Sequence, residues 1–396
     1  MATRSWGRLT GARPLILNAI RGLGQTSRSD IAALTGLTGA TVSTTVRDLI
    51  KDGFVYEVDQ VEPTAGKPRR LVRLVRDARH AVGVHLDQGS LRLVLTDMVG
   101  GVVAAYADES VGSRGPAELV GLIALYAGQL IETSGLSRQS VLGIGVCSPG
   151  PMTPDADMVL SPADWRRWSP FPFAAALKSA TGMPVMVDND ATACAFGEYW
   201  TNPVGVQGLA TLYMGVGVGG AVIIDGEPYR GASGNSVEVG HICVDLDGPP
   251  CWCGGRGCVE VMGGPHTIVL QAQELGLLES TDQADSVSLL GQFIRVADLA
   301  RAGDPQALAL FHESARYIAV GALTLAGIVD PEHIALTGLG FAAAGDLYLP
   351  AIEDILRTQY MARASHTIDV WVSPHAANAP AIGAAALMLQ SELLFG

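Results

Sequence analysis

Four metal-ligating side chains fall within 18 residues: His241, then Cys251, Cys253 and Cys258 in the run Cys-Trp-Cys-Gly-Gly-Arg-Gly-Cys. This cluster constrains the fold most, because one ion holding all four groups ties two stretches of backbone into a single knot. One imidazole and three thiolates make a full tetrahedral set for structural Zn2+, with no position left for a catalytic water. The glycines between the cysteines let the backbone turn tightly enough for the sulfurs to converge. Glu238 stands three residues before the histidine and Glu260 two after the last cysteine, so the knot would fix two carboxylates in space. A disulfide is the competing use of close cysteines, but a C-x-C pairing is strained. The N-terminal run Met-Ala-Thr-Arg-Ser-Trp-Gly-Arg lacks the apolar segment of a secretory signal. No run of about 18 apolar residues suggests a membrane span. A cytoplasmic location with reduced thiols and no membrane insertion is therefore expected, which favours metal. Cys147, Cys194 and Cys243 lie in apolar or strand-like contexts and are expected to be buried.

A chain of 396 residues suggests two or three domains. Its net charge of −13 argues against nucleic acid until the distribution is considered. Residues 1–80 carry 13 Lys and Arg against 7 Asp and Glu, so the remainder is strongly acidic. A basic module joined to an acidic body follows, and only the former can sit on phosphates without repulsion.

Within the basic module, apolar spacing marks three helices. Leu15, Ile16, Ala19, Ile20 and Leu23 carry the first; Ser27 or Ser29 caps the second, which Gly36 ends; Thr38 caps the third, which Gly53 ends. Two helices around a Gly36 turn make a helix-turn-helix. Thr38, Thr41, Ser43, Thr44 and Arg47 lie away from the third helix's apolar stripe, where small hydroxyl residues permit close approach to a groove. Two strand-like runs, 54–58 and 71–75, flank a segment ending Gly-Lys67-Pro-Arg69-Arg70, a hairpin with a basic tip. Such a wing can enter a minor groove, where the potential is most negative. A three-helix protein-interaction module with a basic loop is the alternative, but geometry, wing and charge together favour DNA.

From His80 the pattern changes to three consecutive strands, then strands alternating with helices, and the arrangement recurs. Two α/β lobes around a cleft are expected. The stretch Gly215-Val-Gly-Val-Gly219-Gly220 fits either a phosphate cradle or a tight turn without ligand. Asp188-Asn189-Asp190 follows a strand and precedes a helix, where Asp190 fits either a sugar-hydroxyl ligand or a cap.

Several of these pieces line up in order: 143–151 (Gly-Ile-Gly-Val-Cys-Ser-Pro-Gly-Pro), Asp188-Asn-Asp-Ala191, Gly231-Ala-Ser-Gly234 with Glu238-Val-Gly-His241, and the cysteine run through Glu260. On these motifs the chain resembles the ROK family of repressors, sugar kinases and uncharacterised relatives, and the winged helix resembles its repressor branch. The resemblance implies an α/β body of two actin-like, sugar-kinase-like (ribonuclease H-like) lobes behind a winged helix-turn-helix domain. The expected boundaries are 1–78 for the head, 79–200 for the first lobe, and 201–396 for the second lobe with the zinc loop and C-terminal helices. It also implies that His241, Cys251, Cys253 and Cys258 hold zinc. Asn189, Asp190, Glu238, His241 and Glu260 would line a hexose-type pocket, with Gly150 contributing backbone. With one ring nitrogen on the ion, His241 can donate from the other.

Family kinases use the aspartate equivalent to Asp190 as a base. Their phosphate loops, however, are eroded here at Gln88, Ser90, Leu91 and Met214, and Asp164 replaces an asparagine before Trp165 or Trp168. The expected function is thus a sugar-responsive repressor of carbohydrate genes, without enzyme activity. It would bind a palindromic double-stranded operator as a homodimer or homotetramer. The alternatives are a sugar kinase with an appended DNA-binding head, and a protein-binding scaffold.

Overall fold

Caps fix the head. The protein is described by a computed structural model covering residues 11–58, 70–87, 90–108, 114–152, 171–202, 208–278 and 286–395. Helix α1 (Ala12–Leu23) buries Ile16, Leu17, Ala19 and Ile20. After the two-residue strand β1 (Thr26–Ser27), α2 (Arg28–Thr35) opens on a capping box: Ser27 Oγ accepts from the Asp30 N–H, and the Asp30 carboxylate accepts from the Ser27 N–H. Gly36, at φ 69°, closes it in a left-handed conformation that suits glycine. The Thr38 hydroxyl caps α3 (Gly39–Lys51), which buries Val42, Val46 and Leu49. Strands β2 (Val55–Val58) and β3 (Leu71–Leu74) pair antiparallel, and β1 adds to the far side of β3. The sequence pattern called for two strands; a third of two residues has no period to read.

The body contains two sheets of the same topology. The first comprises β4 (His80–Asp87), β5 (Ser90–Thr96), β6 (Val102–Asp108), β7 (Val141–Ser148) and β8 (Val185–Asn189), ordered β6-β5-β4-β7-β8. The second comprises β9 (Leu209–Met214), β10 (Val218–Ile224), β11 (Glu227–Pro228), β12 (His333–Thr337) and β13 (Asp369–Val372), ordered β11-β10-β9-β12-β13. Each begins as an antiparallel meander and then adds two parallel strands. Parallel pairing demands crossovers, so helices cover the faces. Helices α4 (Pro116–Thr133) and α5 (Phe173–Thr181) cover the outer face of the first sheet. Helix α6 (Asp190–Thr201) leads to the second sheet. That sheet's outer face carries α7 (Val259–Gly263), α8 (Pro265–Glu274), α9 (Ser286–Arg301), α10 (Pro305–Val329) and α11 (Leu339–Gln359). Among the described residues no helix is long and apolar enough to cross a membrane.

The last helix, α12 (Ala379–Phe395), corrects the expected boundary at 201. It returns to the first sheet, packing on β4 and β7 and alongside α6. A Cβ on Gly145 would lie 1.9 Å from the Ala384 carbonyl oxygen, and one on Gly83 1.8 Å from that of Ala381, so only glycine admits this approach. The sequence concealed the placement because α12 is apolar on every side from Ala379 to Leu389, which suits a helix between two sheets and marks no one face as the buried one. The head's core is continuous with this layer: Ile16 and Ile20 share one apolar cluster with Phe196, Trp200, Ala385 and Leu389.

Candidate functional site

Strands β4, β7 and β8 end side by side at Asp87, Ser148 and Asn189, facing the end of β9 at Met214. In an open α/β sheet the carboxyl ends of the strands are where ligands bind. A cavity of about 530 Å³ opens there, and Gly150, Asn189, Asp190, Glu238, His241 and Glu260 all line it. Asn189 is the cap of α6, its side chain accepting from the Thr192 N–H at 3.0 Å. Asp190, the first helical residue, accepts from the Ala191 N–H through Oδ1 at 2.8 Å. Its Oδ2 lies 4.0 Å from His85 Nε2. Burial, then the neighbouring Asp87, push the Asp190 carboxyl up to about 7. Burial, reinforced by Arg92, holds His85 down at about 3. The imidazole is therefore neutral and offers Asp190 no counter-charge. Burial also raises Glu238, with nearby Glu260 adding to the shift.

Two cross-lobe contacts frame the opening. Asn235 donates to the Met152 carbonyl at 2.9 Å and accepts from the Met152 N–H at 2.6 Å, steadying the segment that presents Gly150. Arg230 pairs with Asp188 at 2.6 Å. Neither Asn235 nor Arg230 was marked by the sequence, because each finds its partner across the cleft.

One end of the cavity is the His/Cys cluster. Ligand atoms of His241, Cys251, Cys253 and Cys258 all lie within 4.8 Å of one another. Cys251 Sγ is 3.6 Å from His241 Nδ1, and Cys253 Sγ is 3.7 Å from Cys258 Sγ. Tetrahedral zinc, with its usual bond lengths, sets these edges at about 3.6 Å for S···N and about 3.8 Å for S···S. The donor set fits a metal ion. His241 turns Nδ1 to the sulfurs, which leaves Nε2 as its second donor. Cys147 and Cys194 are buried as expected, but Cys243 is exposed. It sits in the cluster's own loop, bridged through its backbone to Cys258, rather than inside a strand.

Glu260 joins this loop to the glycine-rich one. Its Oε2 accepts from the Val218 N–H at 2.9 Å and its Oε1 from the Trp252 indole at 2.8 Å. Trp252 was missed as a site residue; its position between two cysteine ligands was the available signal. The glycine-rich stretch is a tight strand-to-strand turn, with Met214 opposite Val218 and the Gly215 N–H on the Gly217 carbonyl. Gly217, Gly219 and Gly220 line the cavity, whereas the Met214 side chain is buried in the second lobe's core. Leu91 is buried in the first lobe and Ser90 pairs across the hairpin with Asp87. Gln88, Asp164, Trp165 and Trp168 lie outside the described residues.

On the head, Thr38, Thr44 and Arg47 are exposed and Thr41 and Ser43 half-exposed along α3. Thr38 and Thr41 are partly committed, their hydroxyls 2.9 Å apart around the cap. At the base of the wing, Arg70 and Arg28 share Glu57 at 2.9 and 2.7 Å. Lys67 and Arg69 lie outside the described residues.

The head is fastened to the body at the far end of α6. Arg21 of α1 is buried; its guanidinium donates to the carbonyls of Tyr199 and Trp200 and lies 4.4 Å from the Trp200 ring centroid. Asn18 holds the same guanidinium from the other side and donates to the Tyr199 hydroxyl at 3.3 Å.

A family model described as the ROK family matches residues 108–391, and one described as the MarR family matches residues 9–63. A xylose repressor of Caldicellulosiruptor bescii is 26% identical over 373 residues, covering 93% of each chain. The crystal structure of a ROK family transcriptional regulator, a homolog of the E. coli MLC protein, aligns with TM-score 0.72 at 21% identity over 96% of this chain and 98% of that one. This likeness establishes the fold. A ROK family glucokinase from Streptomyces griseus, in complex with glucose and AMPPNP, aligns with TM-score 0.65 at 26% identity over 78% of this chain and 98% of its own.

Proposed function

The chain belongs to the ROK family, and from that premise we propose that it is a sugar-responsive transcriptional repressor whose kinase-like body senses an effector and whose winged helix grips an operator. The observation that carries the reading is the position of α6. Its cap, Asn189, and its first residue, Asp190, line the cavity, and Tyr199 and Trp200 in its last turn hold Arg21 of the head. Twelve residues of helix span about 18 Å as one stiff element. A sugar that draws on Asn189 and Asp190 therefore acts on the same rod to which the DNA-reading head is fixed. The effector must bind the DNA-free and DNA-bound arrangements unequally, and a coupling of about 1–3 kcal/mol, or about 5- to 150-fold, is ordinary.

Each remaining part has a role. Asn189, Asp190, Glu238, Glu260 and His241 Nε2 would receive the hydroxyls, with Gly150 offering backbone. The His/Cys cluster would hold structural Zn2+, which supplies no chemistry of its own and fixes the loop bearing Trp252 and Glu260. Thr38, Thr41, Ser43, Thr44 and Arg47 would face the major groove, and Lys67, Arg69 and Arg70 the backbone or minor groove. A palindromic operator calls for a two-fold oligomer, a homodimer or a homotetramer. With its thiols free, the chain fits a cytoplasmic setting. The xylose repressor among its relatives puts a pentose first among candidate effectors.

A sugar kinase is the second reading, favoured by the Asp190 carboxyl near 7, where a general base works best. Leu91 and Met214 oppose it, since both are apolar and buried where kinases of the family present phosphate-binding loops. Selection of genomic fragments on the purified protein, followed by elution with a panel of pentoses and hexoses, tests the proposal. Fragments carrying inverted repeats should be retained and then released by one sugar. Retention of no duplex at low salt, or ATP-dependent sugar turnover at ordinary kinase rates, would overturn it.

A further inference from the structure

Tyr213 and Trp252 both line the cavity, and they differ sharply in exposure: Tyr213 is 5% exposed and Trp252 48%. Trp252 is also held from three directions. Its indole N–H donates to Glu260 Oε1, its ring stands at 86° to that of His241 with centroids 4.8 Å apart, and both chain neighbours belong to the metal-binding cluster. An indole whose one donor is satisfied has only carbon surface left to offer. Large accessible apolar surface on a rigid mount, in a cavity that also carries four carboxyl groups and Asn189, matches a ligand with one apolar face and a polar rim.

We infer that Trp252 is the platform of the site, and that the effector is a neutral pyranose with an unbroken C–H face. This inference rests on the sugar-effector reading above and narrows it. A pyranose with all hydroxyls equatorial has that shape: axial C–H bonds cover both faces and hydroxyls radiate from the edge. Stacked on Trp252, it buries carbon against carbon while its rim meets Asp190, Glu238 and Asn189. An axial hydroxyl on the stacked face would lose water against indole carbons and gain no partner. Charge narrows the class further. The carboxyl and imidazole side chains of the described lining are Asp87, Asp190, Glu238, Glu260, His241 and His266, with neither Lys nor Arg beside them, so a sugar phosphate would find no Lys or Arg to pair with and four acidic groups around it.

The test is titration of the full-length, zinc-loaded protein with D-xylose and D-glucose, their axial epimers D-lyxose and D-galactose, and glucose 6-phosphate, followed by calorimetry and indole fluorescence. The wild type should bind an all-equatorial sugar at least about tenfold more tightly than its axial epimer and the phosphate, because an unpaired buried hydroxyl costs that much. Trp252→Ala should weaken binding about tenfold and erase most of the preference, while Trp252→Phe keeps it. Metal content, measured in parallel, should stay at one zinc per chain. Wild-type affinity and preference in zinc-loaded Trp252→Ala would overturn the inference while leaving the sugar reading intact. If the alanine variant loses zinc, the phenylalanine variant decides: preference kept supports the platform, preference lost refutes it. A wild type that binds none of these sugars removes the parent reading and this one with it.

Discussion

At Asp190, helix capping and ligand binding compete for one carboxylate, and Asn189 relieves the competition by taking the Thr192 N–H itself. Asp190 then sits buried beside Asp87, and its ionised form is disfavoured in the folded protein. The sign for stability follows directly. The native state binds a proton that the unfolded chain has already lost between about pH 4 and about pH 7, so this residue's contribution falls as pH rises through that window. Asp190→Asn should therefore raise stability by about 2–4 kcal/mol at pH 8, with a smaller gain at pH 5, while sugar affinity is lost. Thermal melts across that range check it; a gain that does not vary with pH would place the stress elsewhere. Residue roles were only partly legible. The cysteine spacing pointed to one cluster because four ligands of one chemistry lie close in sequence. Cap and ligand were indistinguishable at Asp190, because the Asp87 and Tyr213 that separate them arrive from other strands.

Among elements, α6 and α12 carry the most consequence, side by side between the sheets. If α6 transmits the signal, the Arg21 joint is where it leaves the body. Arg21→Gln should leave the sugar Kd within about twofold while the sugar's effect on operator affinity falls to less than about threefold, which paired titrations would detect. An undiminished effect would mean the head is governed by another route, such as the Arg76–Asp97 contact at 2.8 Å. The strands and capped helices were readable because their signals are local: alternation or continuous apolar runs for β4, β5, β7 and β9, and Ser27, Thr38 and Gly36 for the head. Helix α11 and strand β13 carry no such local signal. Strand β13 has four residues, none fully buried, and α11 carries Pro350 inside it, which argues locally against a helix.

Over the whole molecule, a basic head sits on a body that repels nucleic acid, so binding should depend steeply on salt and be confined to the head. The Arg69→Ala, Arg70→Ala pair should weaken operator binding and lower the salt slope by about 1–2, less than two full charges because Arg70 already shares Glu57. Binding isotherms from 50 to 200 mM salt test this, and an unaltered slope would exclude the wing from the interface.

The return of α12 to the first sheet has a consequence for how the molecule is made. Translation delivers the head and β4 to β8 long before the helix that must lie against Gly83 and Gly145. Until then, the nascent receptor half has an open apolar seam and an unsupported α6. A ribosome must therefore synthesise α12 before the polypeptide can sense anything, and loss of that helix would disable the amino-terminal half as surely as a lesion within it.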